Sequence, residues 1–157
     1  MQIYAFTDGS SRGNPGRGGF GVVLIAPELK LKKEFSMGFR NTTNNRMELL
    51  AAITALEKLR DKQDITIITD SKYVCDAVNK KWVFNWEKKN FSGKKNPDLW
   101  MRFLRNYRKH NVKLEWIKGH AGHKWNERAD QLATEAADGE NLKIDMGFER
   151  TEQASLL

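Results

Sequence analysis

The chain has 157 residues, of which 39% are hydrophobic and 30% charged, and a formal net charge of +7, a composition typical of one soluble globular domain. No apolar run approaches the ~20 residues of a membrane-spanning helix, and the first residues lack the basic-then-apolar pattern of a secretory signal. The single cysteine, Cys75, excludes an internal disulfide, and no set of Cys and His residues has the spacing of a zinc site. We therefore expect a cytoplasmic protein that does not enter a membrane.

The first quarter of the chain predicts an antiparallel meander of three strands. Residues 2–8 alternate between β-branched or aromatic and other residues, which is typical of a strand. The glycine-rich residues 9–19 predict a tight turn, residues 20–26 a second strand, and the partly alternating residues 29–39 a third.

Beyond residue 42 the pattern changes to helices and strands in alternation. Apolar residues at helical spacing and capping residues predict helices over 47–59, 70–81, 98–110 and 126–138, with short strands over 64–69 and 112–118. Either Asp70 or Ser71 is expected to cap the second of these helices. The order β-β-β-α-β-α-α-β-α predicts an α/β fold with a five-stranded mixed sheet and helices on both faces. We expect one domain over residues 1–140, followed by a tail over 141–157 that shows no clear period.

Four acidic residues lie where an acid has little structural use. Asp8 and Asp70 end predicted strands, and Glu48 and Asp130 lie on predicted helices. Each has an ordinary alternative: a turn residue for Asp8, a helix cap for Asp70, a first-turn acid for Glu48 and an arginine pair for Asp130. A buried carboxylate costs several kcal/mol unless a cation offsets it. Together the four predict a shared divalent cation site, because Mg²⁺ prefers carboxylate oxygens and two such ions about 4 Å apart promote phosphate hydrolysis.

Positive charge is concentrated in residues 80–95, which contain six lysines and one acid, Glu87. Trp82 and Trp86 are four residues apart and share one face of a helical turn. Two interpretations stay open: the two rings cover the core of a projecting element, or they contact nucleic acid while Lys88 and Lys89 bind phosphates.

Four segments resemble, in order and with similar spacing, the conserved blocks of the type 1 ribonuclease H family: FTDGSSRGNPG, TTNNRMELLAAI, ITDSKYV and WIKGHAGHKWNERADQLA. The resemblance spans roughly residues 2–139 and implies the ribonuclease H-like fold. It also implies an endoribonuclease that hydrolyses the RNA strand of RNA/DNA hybrids and leaves 5′-phosphate and 3′-hydroxyl ends. The basic residues 80–98 resemble the protrusion found in many members of this family.

The resemblance implies a metal site and a catalytic histidine. Asp8, Glu48, Asp70 and Asp130 match the family's carboxylates, which hold two Mg²⁺ ions once substrate is bound, with Mn²⁺ as a substitute. His120 matches a histidine near the scissile phosphate, where a group that titrates near neutrality can move a proton or assist product departure.

The remaining matches concern the substrate and the surroundings of the site. Asn14, Asn44 and Asn45 match residues that contact 2′-hydroxyls, and Thr43 and Asn96 match residues that hold a DNA phosphate. In the basic segment, we expect Trp82, Trp86, Lys88 and Lys89 to contact the DNA strand. Asn126 is expected to cap the last helix beside Arg128, and His123 to be structural. Lys72 either touches substrate or begins its helix.

Two other function classes compete with a hybrid-specific nuclease. A non-catalytic nucleic-acid-binding module is disfavoured by the four acids, which would weaken phosphate binding. A related nuclease that acts on DNA is disfavoured by the asparagines at Asn14, Asn44 and Asn45, because reading a 2′-hydroxyl requires both a donor and an acceptor. We expect an RNA/DNA hybrid as partner, no obligate protein partner, and a monomer.

Overall fold

The computed structural model describes residues 1–119 and 122–155. Within them, six strands form one mixed sheet in the order β5-β4-β1-β2-β3-β6. Strands β1, β2 and β3 are antiparallel, whereas β4 runs parallel to β1, β5 to β4 and β6 to β3. The strands are β1 (Gln2–Gly13), β2 (Gly16–Ala26), β3 (Leu31–Thr42), β4 (Asp64–Thr69), β5 (Asn111–Trp116) and β6 (Leu142–Lys143).

Six α-helices and a short 3₁₀ helix, Pro27–Leu29, complete the described chain. None of these helices has the length and apolar character that crossing a membrane requires. The helices are α1 (Asn44–Glu57), α2 (Lys72–Asn79), α3 (Trp82–Lys88), α4 (Pro97–Tyr107), α5 (Lys124–Asp138) and α6 (Met146–Ser155).

Helices cover both faces of the sheet, as strand β2 shows. Its side chains alternate, so that Phe20 and Val22 join the core beneath α1 while Gly19 and Gly21, which alternate with them, face α5. A Cβ at Gly19 would lie 2.5 Å from the carbonyl oxygen of Ala133, so only glycine permits this close approach of α5. Small residues on the inner side of α5, such as the buried Ala129 and Ala133, serve the same purpose.

Helix α1 is buried on nearly all sides because it lies between the sheet and α4. Its fully buried residues include Met47, Leu49 and Ile53, and α4 contributes Trp100 and Phe103 to the same core. A helix with apolar residues all round is typical of such a central position. One consequence is that a charged residue on α1 can point into the interior.

The predicted five-stranded sheet is wrong by one strand, and the predicted element order is incomplete. Strand β6 pairs its two residues with Gly38 and Phe39 of β3. The prediction also lacked α3 in the basic segment and α6 after β6. A segment of two residues is too short to show the two-residue period of a strand, so the sequence did not indicate β6. Its pairing with the edge strand β3 defines it as a strand.

The predicted turn over residues 9–19 is mostly strand. Strand β1 continues to Gly13 and β2 begins at Gly16, so that only Asn14 and Pro15 connect them. The glycines serve close packing, since Gly9 lies against α1 and Gly19 against α5. Composition alone suggested a loop because glycine is also the commonest turn residue.

Candidate active site

Asp8 and Asp70 lie side by side because β1 and β4 are parallel neighbours. Phe6 pairs with Ile68, so Asp8 and Asp70 occupy equivalent positions two residues further along. The carboxyl ends of parallel strands meet at one edge of the sheet, where sites of α/β proteins commonly form. The predicted placement of the two acids at strand ends therefore brings them together.

Glu48 reaches the same point from α1. A Cβ at Gly9 would lie 2.5 Å from the carbonyl carbon of Met47, so a glycine is required for α1 to come this close to β1. The backbone N–H of Gly9 donates to Oδ1 of Asp8, at 3.0 Å, and to the carboxylate of Glu48. The single N–H therefore connects the two acids.

The three carboxylates form a compact cluster. One oxygen from each of Asp8, Glu48 and Asp70 lies within 4.8 Å of the others, and Asp8 and Glu48 are each only 6% exposed. Asp130 on α5 lines the same cavity, of about 470 Å³, although it lies outside that 4.8 Å group. Four elements thus supply four acids to one cavity.

Burial and mutual repulsion shift the pKa values of two acids in this cluster. Burial raises the pKa of Asp8 to about 8; a hydrogen bond with Glu48 opposes this rise, and the charge of Asp70 adds to it. Burial and repulsion from Asp8 also raise the pKa of Glu48 well above its usual range. Within residues 1–119 and 122–155, none of the four acids forms a salt bridge. These hard oxygen donors fit a Mg²⁺ site, because a bound divalent ion would supply the missing charge.

The predicted substrate residues lie beside this cavity. Asn44 and Asn45 line it, and Asn45 also lines a neighbouring cavity of about 590 Å³ that contains Asn14, Thr43 and Asn96. The side-chain oxygen of Asn14 accepts the N–H of Asn44 at 3.0 Å, which ties the β1–β2 turn to the start of α1. The two cavities therefore adjoin at Asn45.

Comparison with known proteins identifies the family. The sequence profile of the RNase H family matches residues 1–138. This chain belongs to that family. A Ribonuclease H from Desulforamulus reducens is 49% identical over 150 residues, which cover 92% of this chain and 93% of that protein.

Two solved structures place the chain in the same fold. One is LC9-RNase H1, a type 1 RNase H with the type 2 active-site motif, with 30% identity and a TM-score of 0.75 over 89% of this chain and 74% of that one. The other is LC11-RNase H1 in complex with an RNA/DNA hybrid, with 28% identity and a TM-score of 0.64 over 87% of this chain and 96% of that one.

The basic segment of this RNase H family member has one outward and one packed tryptophan. Trp82 is 44% exposed, and Lys80 lies over its ring at 5.1 Å from the centroid. Trp86 is half-buried and meets the ring of Trp100 edge-on, with the centroids 5.9 Å apart. The two residues share α3, yet Trp86 anchors it to α4 whereas Trp82 stays accessible. Near them, the end of the helix carries the exposed Lys88 and Lys89.

Predictions for the loop before α5 have mixed outcomes. His120 lies outside the described residues. The expectation that Asn126 caps α5 is wrong, because α5 begins at Lys124 after His123 and Asn126 lies buried within its first turn. Since the helix starts two residues earlier than predicted, Asn126 faces the interior. Arg128 instead donates from Nε and Nη2 to the two carboxylate oxygens of Glu34 on β3, at 2.7 and 2.9 Å.

Ser71 accepts the N–H of Val74 at 3.2 Å and caps α2, so the second of the two predicted caps, Asp70 and Ser71, is confirmed.

Other contacts around the site were not found from the sequence. The hydroxyl of Tyr73 accepts from Asn96 at 3.0 Å, and the indole of Trp116 donates to the backbone carbonyl of Asp70, also at 3.0 Å. These contacts join residues far apart in the chain, so no local pattern indicates them.

Proposed function

We propose that this chain is an endoribonuclease that hydrolyses the RNA strand of RNA/DNA hybrids by two-metal-ion catalysis, leaving 5′-phosphate and 3′-hydroxyl ends. The observation that carries the proposal is the cluster of Asp8, Glu48 and Asp70, whose oxygens converge within 4.8 Å without a salt bridge to any residue that the structure describes. Family membership supports it, as does the structural similarity to LC11-RNase H1 in complex with an RNA/DNA hybrid.

Asp8, Glu48, Asp70 and Asp130 would hold Mg²⁺, with Mn²⁺ as a substitute. When bound, two such ions would activate water and stabilise the charge on the leaving 3′ oxygen. The N–H of Gly9 holds the carboxylates of Asp8 and Glu48 in place, so that little rearrangement is needed at the site. His120 would move a proton near the scissile phosphate or assist product departure.

The RNA/DNA hybrid would bind along the two adjoining cavities. Asparagine amides both donate and accept, as a 2′-hydroxyl requires, and Asn14, Asn44 and Asn45 lie along this path. Thr43 and Asn96, which line the second cavity, would hold a DNA phosphate. On α3, the rings of Trp82 and Trp86 and the charges of Lys88 and Lys89 would contact the DNA strand, with Trp86 also packed against Trp100.

The organisation of the chain is part of the proposal. Residues 1–140 would form the catalytic domain, with residues 80–98 as a basic protrusion and residues 141–157 as a tail. We propose that the enzyme acts in the cytoplasm as a monomer without an obligate protein partner.

A cleavage and binding assay on Asp70→Asn tests the function. With labelled RNA/DNA hybrid and Mg²⁺, we expect cleavage to fall at least about 100-fold while the dissociation constant for the hybrid stays within a factor of two or so, because the lost carboxylate would hold an ion needed for hydrolysis and not for binding the hybrid. Asp76→Asn is the matched control on α2, where the acid pairs with Lys80 instead of lining the cavity.

The outcomes separate the competing functions. Loss of hybrid binding by a folded Asp70→Asn variant would argue against the proposed role of Asp70. Tight, salt-sensitive hybrid binding by the wild type without any cleavage would indicate a binding module. Equal cleavage of duplex DNA and hybrid would indicate a DNA-acting nuclease.

A further inference from the structure

We infer that Trp116 is a positioning residue for Asp70, which it holds through the backbone so that the carboxylate points into the acidic cavity. The inference deepens the proposed function, because it concerns how one proposed metal ligand is kept in place. Trp116 is the last residue of the edge strand β5, and 42% of it is exposed.

The first argument concerns the point at which backbone pairing between β4 and β5 ends. Thr69 pairs with Trp116, and the N–H of Ile117 donates to the carbonyl of Thr69 at 2.9 Å. Asp70 comes next, past the last paired residue of β4 and before α2 begins at Lys72. Its carbonyl accepts the indole N–H of Trp116 at 3.0 Å. A side chain thus continues the connection between the strands where backbone pairing stops.

The second argument is that the indole itself is held. Lys72 lies over the ring of Trp116, with its Nζ 4.9 Å from the centroid. A cation over an exposed indole is attracted by the ring's negative face. Asp70 and Lys72 belong to the same turn, so Trp116 touches this turn on both sides of the helix cap Ser71. The contact also gives Lys72 a role besides beginning α2.

The third argument comes from Gly119, which lies three residues after Trp116 in the segment that follows β5. A Cβ at this position would lie 2.7 Å from Oδ2 of Asp70. Any larger residue would therefore turn the carboxylate away from its position. The chain leaving β5 holds the backbone of Asp70 through Trp116 and limits its side chain through Gly119.

Groups that orient metal ligands affect metal affinity strongly, although they do not touch the ion. Trp116→Phe removes the donor and keeps a ring beneath Lys72. Titration calorimetry with Mg²⁺ alone, at a temperature well below unfolding, should give a dissociation constant about ten-fold higher than that of the wild type. The Mg²⁺ concentration for half-maximal cleavage should rise in parallel, with KM for the hybrid unchanged.

Two further variants keep the test decisive. Trp125→Phe is the matched control, because Lys32 and Lys124 lie over that ring but its indole donates to no residue that the structure describes; its Mg²⁺ affinity should equal that of the wild type. Gly119→Ala should weaken Mg²⁺ binding by displacing the Asp70 carboxylate directly.

A Trp116→Phe variant with wild-type Mg²⁺ affinity overturns the inference, most clearly if Gly119→Ala has lost affinity. A lower melting temperature with unchanged Mg²⁺ affinity overturns it too, since that is the effect of a merely structural residue. Failure of the proposed function would give a different result. The wild type would not cleave hybrid at all, whereas Trp116→Phe would still raise the dissociation constant for Mg²⁺.

Discussion

Helix α1 buries two charges of opposite kind two residues apart. Arg46 is 3% exposed and Glu48 is 6% exposed, so both side chains have lost nearly all contact with water. Arg46 points to one group of acids that neutralise it, whereas Glu48 points to another group of acids that repel it. The same helix therefore carries one acid–base cluster with complete pairing and one cluster of acids at the candidate site.

The Arg46 cluster is fully paired. The guanidinium donates to both oxygens of Asp98, at 2.8 and 2.9 Å, and to both oxygens of Asp145, at 2.8 Å each. Thr42 donates a further hydrogen bond to Asp145 at 2.7 Å. Burial alone would lower the pKa of Arg46, but its bonds to Asp98 and Asp145 raise it above its usual value. These bonds join α1, the start of α4 and the segment between β6 and α6.

The Glu48 cluster lacks such partners. Among the described residues, Asp8 and Asp70 surround Glu48, and the N–H of Gly9 donates to its carboxylate. The free-energy cost of taking charged groups out of water is offset only when opposite charges and hydrogen bonds replace the lost water contacts. Both clusters are buried, so burial does not distinguish them. They differ in whether the buried group has partners of opposite charge, which is the difference between a structural ion pair and a candidate site for an external cation.

The largest expected effect is on the paired cluster. Arg46→Met leaves the buried Asp145 and the half-exposed Asp98 without a cation and should lower the free energy of unfolding by about 3–5 kcal/mol. Arg102→Met is the control, because the partly exposed Arg102–Glu57 pair should contribute less than about 1 kcal/mol. Urea unfolding measures both. Equal losses in the two variants would contradict the structural role of the Arg46 cluster.

The acidic cluster should respond to pH in the opposite sense from a stabilising ion pair. Because the pKa of Asp8 is raised from 3.8 to about 8, its contribution to stability is complete below pH 3.8 and is lost as the pH rises through about 8. Without metal, the free energy of unfolding should fall by about 1 kcal/mol per pH unit between pH 6 and 8.

Saturating Mg²⁺ should reduce this fall, since the ion takes the place of the proton. Asp8→Asn should flatten the metal-free profile. A metal-free wild type whose unfolding free energy rises over the same pH range would show that the cluster is not repulsive. Urea titrations at several pH values, with Mg²⁺ or with chelator, measure these profiles.

The smallest expected effect is a gain of stability. Glu48→Gln removes one repelled charge and keeps an oxygen for the N–H of Gly9, so the metal-free protein should gain about 1 kcal/mol at pH 7. At saturating Mg²⁺ the wild type should recover this difference, because only its complete site binds the ion tightly.

Glu57→Gln is the matched control on the same helix. Its carboxylate accepts from Arg102, which lowers the pKa of Glu57, so this change should destabilise slightly at pH 7. Thermal unfolding with chelator and with Mg²⁺ compares the two variants. If both shifted the unfolding temperature in the same direction, the contrast between the two clusters would be wrong.

Much of the candidate site could be predicted from the sequence because its acids stand at positions with a simple geometric meaning. Asp8 and Asp70 end apolar segments, and the ends of neighbouring parallel strands meet at one edge. Ser71 as a helix cap and the helix through Glu48 also follow local rules. The roles assigned to His120 and to the substrate contacts stay predictions.

The sequence by itself determined the α/β class, the meander, and the placement of Asp8 and Asp70 at strand ends that meet, because strand period, helix period and the ends of apolar segments are local or nearly local properties. Only the tertiary structure decided that the glycines of residues 9–19 bring helices close, that β6 adds a sixth strand, and that Trp116 meets Asp70. Each of these depends on a partner far away in the chain. A residue's own neighbours carry no information about that partner until the sheet has brought the two together.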